Sequence, residues 1–188
     1  MEADSTTKFE TREQILESLQ EKRDLTGADM SGLDLSGIKL MGLNLKGADL
    51  HDSNLNNATL AFADMTDINL SNTKLENARI GGASLRNANL RGAHMNAAKI
   101  AAVDMQNADL TGADLTKSRL LAVDVTGADF TDAKTVDATM LVEWKDAKVQ
   151  PADLPAAVEP PLWLPFVFLG IVGLAVLFLL WRRKNREV

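Results

Sequence analysis

The chain carries an apolar residue at every fifth position from Leu25 to Met140, with Thr135 as the one polar interruption. The residue two places before each central position is nearly always small or apolar, as Ala48 is before Leu50. On a helix, which turns about 100° per residue, a period of five would scatter these residues around every face. On a flat strand, an odd period would put successive central residues on opposite faces. The pattern therefore predicts a solenoid that turns one corner per repeat and keeps both apolar positions inside.

The residues at the predicted corners suit a left-handed backbone. The second place after a central residue is mostly Gly, Asn or Asp, as at Gly27, Gly47 and Asn57. Glycine adopts a positive φ without steric cost, and Asn and Asp tolerate it better than other residues. The second place after each central residue is therefore the corner.

A second period of twenty residues appears in the residue just before each central position, which should point outward. Taken every twenty residues, these positions form four ladders, which we number as faces one to four from Asp24, Asp29, Asp34 and Lys39. The first and second ladders hold no base, the third is mixed, and the fourth holds no acid. Four repeats per turn predict four sides and about six coils.

The tandem A-(D/N)-L-x-x pattern, as in Ala48-Asp49-Leu50 and Ala108-Asp109-Leu110, resembles the pentapeptide-repeat family. The resemblance covers residues 25–140 and implies an all-β solenoid, in the form of a right-handed, four-sided β-helix. Because this family shares a fold and no common activity, the resemblance does not indicate a function.

Residues 1–24 are predicted to form a disordered tail, Met1 to Lys8, and a short helix from Thr11 to Arg23. Thr11 and Gln14 have the spacing of a capping box. We expect this helix to cap the first coil with an apolar face made of Ile15, Leu16 and Leu19.

Residues 141–161 are predicted to form a C-terminal cap followed by an extended, proline-rich linker. The residues expected to cover the last coil are Leu141, Val142 and Trp144.

Leu162 to Trp181 is a run of twenty residues without a charged side chain. A helix of this length spans about 30 Å, the thickness of the hydrocarbon core of a bilayer. Trp163 and Trp181 lie at its two ends, and residues 182–188 form a basic tail. We therefore predict a single-pass, C-terminal transmembrane helix and a membrane location.

Two rules conflict over the side of the membrane on which the solenoid lies. The basic tail favours a cytoplasmic C-terminus, which would place the solenoid outside. We recognise no signal peptide that would carry the solenoid across, so we expect a cytoplasmic solenoid.

Composition and spacing give no sign of a catalytic or metal site. The net charge of −6 argues against a general nucleic-acid binder. The chain has no cysteine, and its two histidines, His51 and His94, belong to different ladders. The glycines lie at regular corners rather than in a phosphate-binding loop. We expect no catalytic, cofactor-binding or metal-binding residues, no cofactor and no enzymatic activity.

The fourth face departs from the polar character of the other faces. After each central residue, the other faces mostly carry polar residues or glycine, whereas six repeats of the fourth face carry small or apolar pairs beside a cationic row. Phe62, Ala102 and Ala122 replace the usual corner residue, which predicts a different turn type, and the pair Gly81-Gly82 would let a partner backbone approach closely. The predicted contact surface consists of Lys39, Met41, Ala61, Phe62, Arg79, Gly81, Gly82, Lys99, Ala101, Ala102, Arg119, Leu121, Ala122, Leu141 and Val142.

Exposed contiguous apolar surface typically marks an interaction site. We therefore expect a membrane-anchored scaffold or adaptor that presents this face to a protein partner at the membrane. An acidic amphipathic protein, a second copy of the chain and anionic lipid headgroups all fit the face, and the terminal helix or linker could instead fold over it. The alternative function is mimicry of DNA by the acidic faces, which would inhibit or protect a topoisomerase; we do not expect binding of nucleic acid itself.

Overall fold

A computed structural model describes residues 7–142 and 147–152 of the chain. These residues form one helix, α1, and five short strands, β1 to β5. The elements are α1 Arg12–Glu21, β1 Thr59–Ala61, β2 Arg79–Gly81, β3 Lys99–Ala101, β4 Arg119–Val123 and β5 Thr139–Val142.

The five strands form one parallel sheet in the order of the chain. Each pair is offset by twenty residues, so Thr59 pairs with Arg79 and Arg79 pairs with Lys99. Isolated bridges repeat this offset on the other ladders, for example between Asp24 and Asn44. The chain is therefore an all-β solenoid with one short helix, and the sheet from β1 to β5 spans about four turns. The six coils, the right hand and the four sides stay predictions.

The core lies inside the solenoid and takes two side chains from each repeat. Leu50 and its partner two places earlier, Ala48, are both buried, as are most of the equivalent pairs along the chain. Thr135 takes the same inward place as the leucines and is also buried. Because a close-packed interior of this width has room for one large and one small residue per repeat, alanine recurs at the minus-two position.

Each position of the repeat has a local reason, which the segment from Ala108 to Gly112 illustrates. Ala108 and Leu110 fill the interior. Asp109 points outward, and its Oδ1 accepts hydrogen bonds from the backbone N–H of Thr111 at 2.9 Å and from the Thr111 hydroxyl. Gly112 takes the corner with a φ of 68°. Hydrogen bonds from Thr or Ser to an acid two places earlier therefore stabilise the outward side of the corner.

The capping box predicted at Thr11 is confirmed, because both of its reciprocal hydrogen bonds with Gln14 are present. The helix ends at Glu21, before the predicted Arg23, because Lys22 is already extended. Ile15 is buried, but Leu16 is exposed, so the prediction that Leu16 joins the capping face is wrong. Adjacent residues on a helix lie about 100° apart, so Ile15 can face the core only by turning Leu16 outward.

The prediction of a disordered tail is wrong for Thr7 and Lys8. Lys8 forms a parallel bridge with Asp29, and the Asp29 N–H donates to the Thr7 carbonyl at 3.0 Å. The following Phe9 donates its N–H to the Asp29 carbonyl at 2.8 Å and is buried. The chain before α1 thus covers the exposed backbone of the first coil on the second face.

The C-terminal cover also differs from the predicted one. Leu141 and Val142 belong to β5, so the solenoid runs two residues beyond the predicted end at Met140. Val149 forms a bridge with Asp129 and accepts a hydrogen bond from the Phe130 N–H at 3.1 Å. A segment that precedes the predicted linker, which starts at Gln150, therefore pairs with the last coil on the second face.

The predicted membrane anchor at Leu162 to Trp181, the basic tail at residues 182–188, Trp144 and most of the linker lie outside the described residues. Within residues 7–142 and 147–152, no helix is long and apolar enough to cross a membrane.

Candidate interaction surface

The fourth face differs from the other faces in its backbone. Among the described residues, all five strands lie on this face, while the other faces contribute single bridges. The strands continue one place past the central residue, so Ala61, Gly81 and Ala101 pair in register. The result is a continuous sheet with a cationic row along its first position and a small or apolar row along its third.

The corner that follows the fourth face uses the different turn predicted for it. At most other corners, the backbone N–H of the residue three places after the central residue donates a hydrogen bond to the carbonyl of that central residue. Ala58 donates to the Leu55 carbonyl in this way at 3.0 Å. Within the described part of the chain, no such bond joins Ala63, Ala83 or Val103 to its central residue. The turn is open because the strand runs on into the corner.

The most informative feature of this face is strain in the backbone on both of its sides. Every corner residue from Gly27 to Asp137 has a positive φ, and most of these residues are Gly, Asn or Asp. Among the described residues, all the exceptions border the fourth face; they are Phe62, Ala97, Ala102, Lys117 and Ala122, with φ values between 52° and 60°. Left-handed backbone costs such residues roughly 1–2 kcal/mol each. The solenoid has no need of these side chains, since Gly or Asn serves at equivalent corners.

Large apolar side chains are exposed along the same edge. Phe62 is 71% exposed, Leu141 54%, Met41 47% and Leu121 38%. They make up four of the seven large apolar side chains that are exposed in the described residues. The small residues Gly81 and Ala101 lie between the large ones, so the edge is low in the middle and raised at its ends.

The predicted role of Gly82 in admitting a partner backbone is wrong. A Cβ placed on Gly82 would come within 2.7 Å of Cδ1 of Phe62, so the aromatic ring already occupies the space above this glycine. A side chain on residue 82 would displace the ring. Gly82 therefore supports the position of Phe62, and the ring becomes part of the exposed surface.

The cations of the fourth face have no acidic partner within the described residues. This row consists of Lys39, Arg79, Lys99 and Arg119, all exposed. Some cations on the other faces are paired, as Arg86 is at 3.2 Å from Asp104 and Arg91 at 3.0 Å from Asp109, whereas Lys74 and Lys134 on the third face also lack an acidic partner within the described residues. Several cations of the solenoid thus form ion pairs, whereas those of this row form none with the described residues.

Two shallow depressions in the described surface coincide with the same row. One lies between Arg79 and Lys99 and is bounded by Asn57, Asn77 and Ala97. The other lies where α1 meets the first coils; its lining residues are Leu19, Arg23, Lys39, Met41 and Leu43. Each depression brings two cations together, the first with amide groups and the second with an apolar floor.

The structure places the predicted contact residues on one face and its corner. They are exposed apart from Ala61, Gly81 and Val142, which are half-buried. Their role in binding stays a prediction. The sequence analysis missed Ala97 and Lys117 on the opposite corner, although both break the Gly, Asn or Asp rule that identified Phe62.

The acidic faces, by contrast, are bonded internally. The Asn89 side chain donates to Oδ1 of Asn69 at 3.0 Å, and Asn69 donates to Oδ1 of Asp49 at 2.9 Å. Nδ1 of His51 lies 2.8 Å from the same Asp49 oxygen, and this contact raises the pKa of His51. The Thr66 hydroxyl and backbone N–H lower the pKa of Asp64. These side chains stabilise the coils they belong to.

A family model described as pentapeptide repeats matches the chain in eight copies, at residues 24–57, 53–92 and 93–132. The chain belongs to the pentapeptide-repeat family. These matches cover more than half of the sequence and coincide with the solenoid. No curated protein sequence is significantly similar to this pentapeptide-repeat chain.

Solved structures of other pentapeptide-repeat proteins are similar to it. Rfr23 from the cyanobacterium Cyanothece 51142 is 20% identical with a TM-score of 0.53, over 72% of this chain and 97% of Rfr23. QnrB1, a plasmid-mediated fluoroquinolone resistance protein, is 20% identical with a TM-score of 0.47, over 66% of this chain and 70% of QnrB1. A protein from the Arabidopsis thaliana thylakoid lumen is 30% identical with a TM-score of 0.34, over 62% of this chain and 71% of that one. At this identity, the likeness to Rfr23 shows the fold alone.

Proposed function

We propose that this pentapeptide-repeat protein is a membrane-anchored, non-catalytic scaffold whose fourth face binds a protein partner. The observation that carries the proposal is the strain at both corners of this face. Residues such as Phe62 and Ala102 hold a left-handed backbone at a cost that glycine would remove. Strain of this kind collects at functional sites, and here it borders the apolar edge that exposes Phe62 and Leu121.

The rest of the proposal concerns the form and setting of the solenoid. We propose a right-handed, four-sided β-helix of about six coils, and the twenty-residue offset of the bridges from Asp24 to Val149 supports four repeats per coil. The uncharged run from Leu162 to Trp181 supports a single-pass anchor, with the solenoid in the cytoplasm. A solenoid tethered to the bilayer would be available to a protein partner at the membrane.

Membrane attachment can be tested in the full chain by placing two charges in the apolar run. Val172→Arg with Leu174→Arg should release the protein from membranes washed at alkaline pH, because charged side chains are costly at the bilayer centre. Protease added to intact cells or spheroplasts should leave the solenoid uncut. Retention of the double variant would refute the anchor, and digestion of the solenoid would reverse the orientation.

The contact surface can be tested by photo-cross-linking in native membranes. A photo-reactive phenylalanine analogue replaces Leu121 in one full-length variant and Val136 in the control. Val136 is also exposed and apolar, but it follows Thr135 on the third face. We expect a cross-linked protein from position 121 and none from position 136. Equal cross-linking, or none from either, would refute the fourth face as the contact surface.

A second candidate function, mimicry of DNA for a topoisomerase, is favoured by the acidic ladders. Hydrogen bonds from Thr26 and Ser31 lower the pKa values of Asp24 and Asp29, which keeps both carboxylates charged. The open cation row on the fourth face opposes this function. A supercoiling assay distinguishes the two, since a mimic would compete with DNA for the enzyme and a membrane scaffold would not.

A further inference from the structure

The chemistry of the partner can be inferred from the cation row, given the proposed function. The protein has 26 acidic and 20 basic residues, so an acidic partner for each cation is available by number. Yet Arg79, Lys99 and Arg119, on three consecutive coils, have none within the described residues. Like charges on adjacent rungs repel one another, and the fold places threonine in the same ladder at Thr59 and Thr139. An acidic partner would remove this repulsion.

The spacing of the row narrows the partner's secondary structure. Neighbouring rungs of a β-sheet lie about 4.8 Å apart, so the three cations span about 9.6 Å along the solenoid axis. A helix lying along that axis repeats a side-chain stripe every 5.4 Å, or about 10.8 Å over two turns. Flexible Arg and Lys side chains can absorb a mismatch of about 1 Å. Side chains on one side of a strand repeat about every 6.8 Å. Two such steps span about 13.6 Å, which is about 4 Å longer than the row of cations.

The surface beside the row fits the apolar side of the same helix. Ala101 lies two residues beyond Lys99 on β3, so the apolar edge runs about 6.6 Å from the cations. A helix presents an acidic stripe and an apolar stripe side by side when the residues of one stripe follow those of the other by one position in the sequence, or about 100° around the axis. The low middle of the edge, at Gly81 and Ala101, can receive a large apolar side chain between Phe62 and Leu121.

We propose that the partner binds through an acidic amphipathic helix that lies along the solenoid axis on the fourth face. One carboxylate per turn contacts the row formed by Arg79, Lys99 and Arg119, and the adjacent apolar stripe packs on the edge between Phe62 and Leu121. This inference rests on the proposed function. It favours a helix over a bilayer surface because the apolar edge has a raised and lowered profile that a planar surface cannot fill.

The experiment measures binding of a synthetic helix of about five turns to the full chain in a non-ionic detergent. The labelled peptide carries glutamate at i, i+4, i+7 and i+11, beside a leucine stripe. A control isomer has the same composition with its glutamates spread around the helix. We expect the facial peptide to bind more tightly than the isomer in fluorescence anisotropy, with an affinity that falls as salt rises.

Two variants with the same change in net charge locate the site. Arg79→Gln with Lys99→Gln should weaken binding of the facial peptide about fivefold to tenfold, as expected for two exposed ion pairs. Lys74→Gln with Lys134→Gln, on the third face, should change it less than about twofold. Melting curves of both variants should match that of the wild-type chain.

Several results would overturn the proposal. These are equal binding of the two peptides, equal loss in both variants, and binding of short-chain phosphatidylglycerol without binding of the facial peptide. A fourth is self-association that Arg79→Gln with Lys99→Gln abolishes, which would assign the row to a second copy. If the peptide fails while position 121 still cross-links, the scaffold function stands and only the helical partner is refuted.

Discussion

At the scale of single residues, the corners of the repeat explain most of the sequence pattern. Each corner needs a positive φ, which Gly, Asn and Asp provide at low cost. The exceptions at Phe62, Ala97 and Ala102 border the same face. Their clustering indicates that the requirements of this surface, rather than those of the fold, account for them. Phe62 also determines its neighbour on the next coil, because its ring excludes a Cβ at Gly82.

The cost of these exceptions can be measured with a pair of opposite substitutions. Ala102 has a φ of 53°, and Gly112 has a φ of 68° with no atom within 4 Å of the position a Cβ would take. Ala102→Gly should raise the free energy of unfolding by about 1 kcal/mol, and Gly112→Ala should lower it by about the same amount. Denaturant titration of the full chain in detergent checks both values. A less stable Ala102→Gly variant would show that residue 102 is not strained.

At the scale of elements, the two ends of the solenoid are covered on the same face. Lys8 pairs with Asp29 at one end, and Val149 pairs with Asp129 at the other. Both segments satisfy backbone groups that an open coil would expose, as terminal elements of solenoids must. The first cover was partly predictable, because Thr11 and Gln14 carry a capping signal. The second was not, because the repeat that contains Val149 keeps the twenty-residue register but has polar residues at both positions that are apolar in most other repeats.

The C-terminal cover depends on one ion pair and should respond to pH. Nζ of Lys148 lies 2.7 Å from Oδ2 of Asp129, and this hydrogen bond, with those from Thr131, lowers the pKa of Asp129 to about 2. A lowered pKa in the folded state stabilises the protein above the ordinary value of 3.8, and this contribution is lost as pH falls towards 2. Lys148→Met should therefore reduce the loss of stability between these pH values.

The same variant should loosen the cover itself. The Phe130 N–H donates to the Val149 carbonyl in the cover, so its hydrogen exchange should accelerate in Lys148→Met. The Leu90 N–H, which bonds to the Asp109 carbonyl at 2.7 Å within the solenoid, provides the internal control. Unchanged exchange at Phe130 would mean that backbone pairing alone holds the segment.

At the scale of the whole molecule, the solenoid was predictable because two periods, five and twenty residues, act on every part of it. The first period separates inside from outside, and the second fixes which residues stack, as the pairing of Arg79 with Lys99 shows. The candidate contact surface was identified in the sequence by a break in both rules, and its role in binding stays a prediction. The open turn at Ala63, the ring over Gly82 and the absence of a described acidic partner for Lys99 depend on neighbouring coils, which sequence spacing alone does not specify.

The assignment of side chains to the inside or the outside of the solenoid predicts that replacing leucine with aspartate has different effects at the two kinds of position. Leu90 is fully buried, whereas Leu121 is 38% exposed. Leu90→Asp should unfold the solenoid, because it places an unpaired charge in a packed core, at a cost of several kcal/mol. Leu121→Asp should leave the melting curve close to that of the wild type in circular dichroism. Equal melting temperatures for the two variants would refute the assignment.

The most direct test of the fourth face as the contact surface replaces its two apolar anchors while a cross-linker reports on the partner. The cross-linker is placed at Ala101 in the full chain, and Phe62→Asp with Leu121→Asp is compared with Leu16→Asp and Val136→Asp, two exposed apolar residues elsewhere. Each buried anchor should contribute about 1.5–3 kcal/mol to binding. We expect the cross-link to disappear only in the Phe62 and Leu121 variant, with no loss of melting temperature in either variant. Persistence of the cross-link in that variant, or its equal loss in the control, would contradict the account.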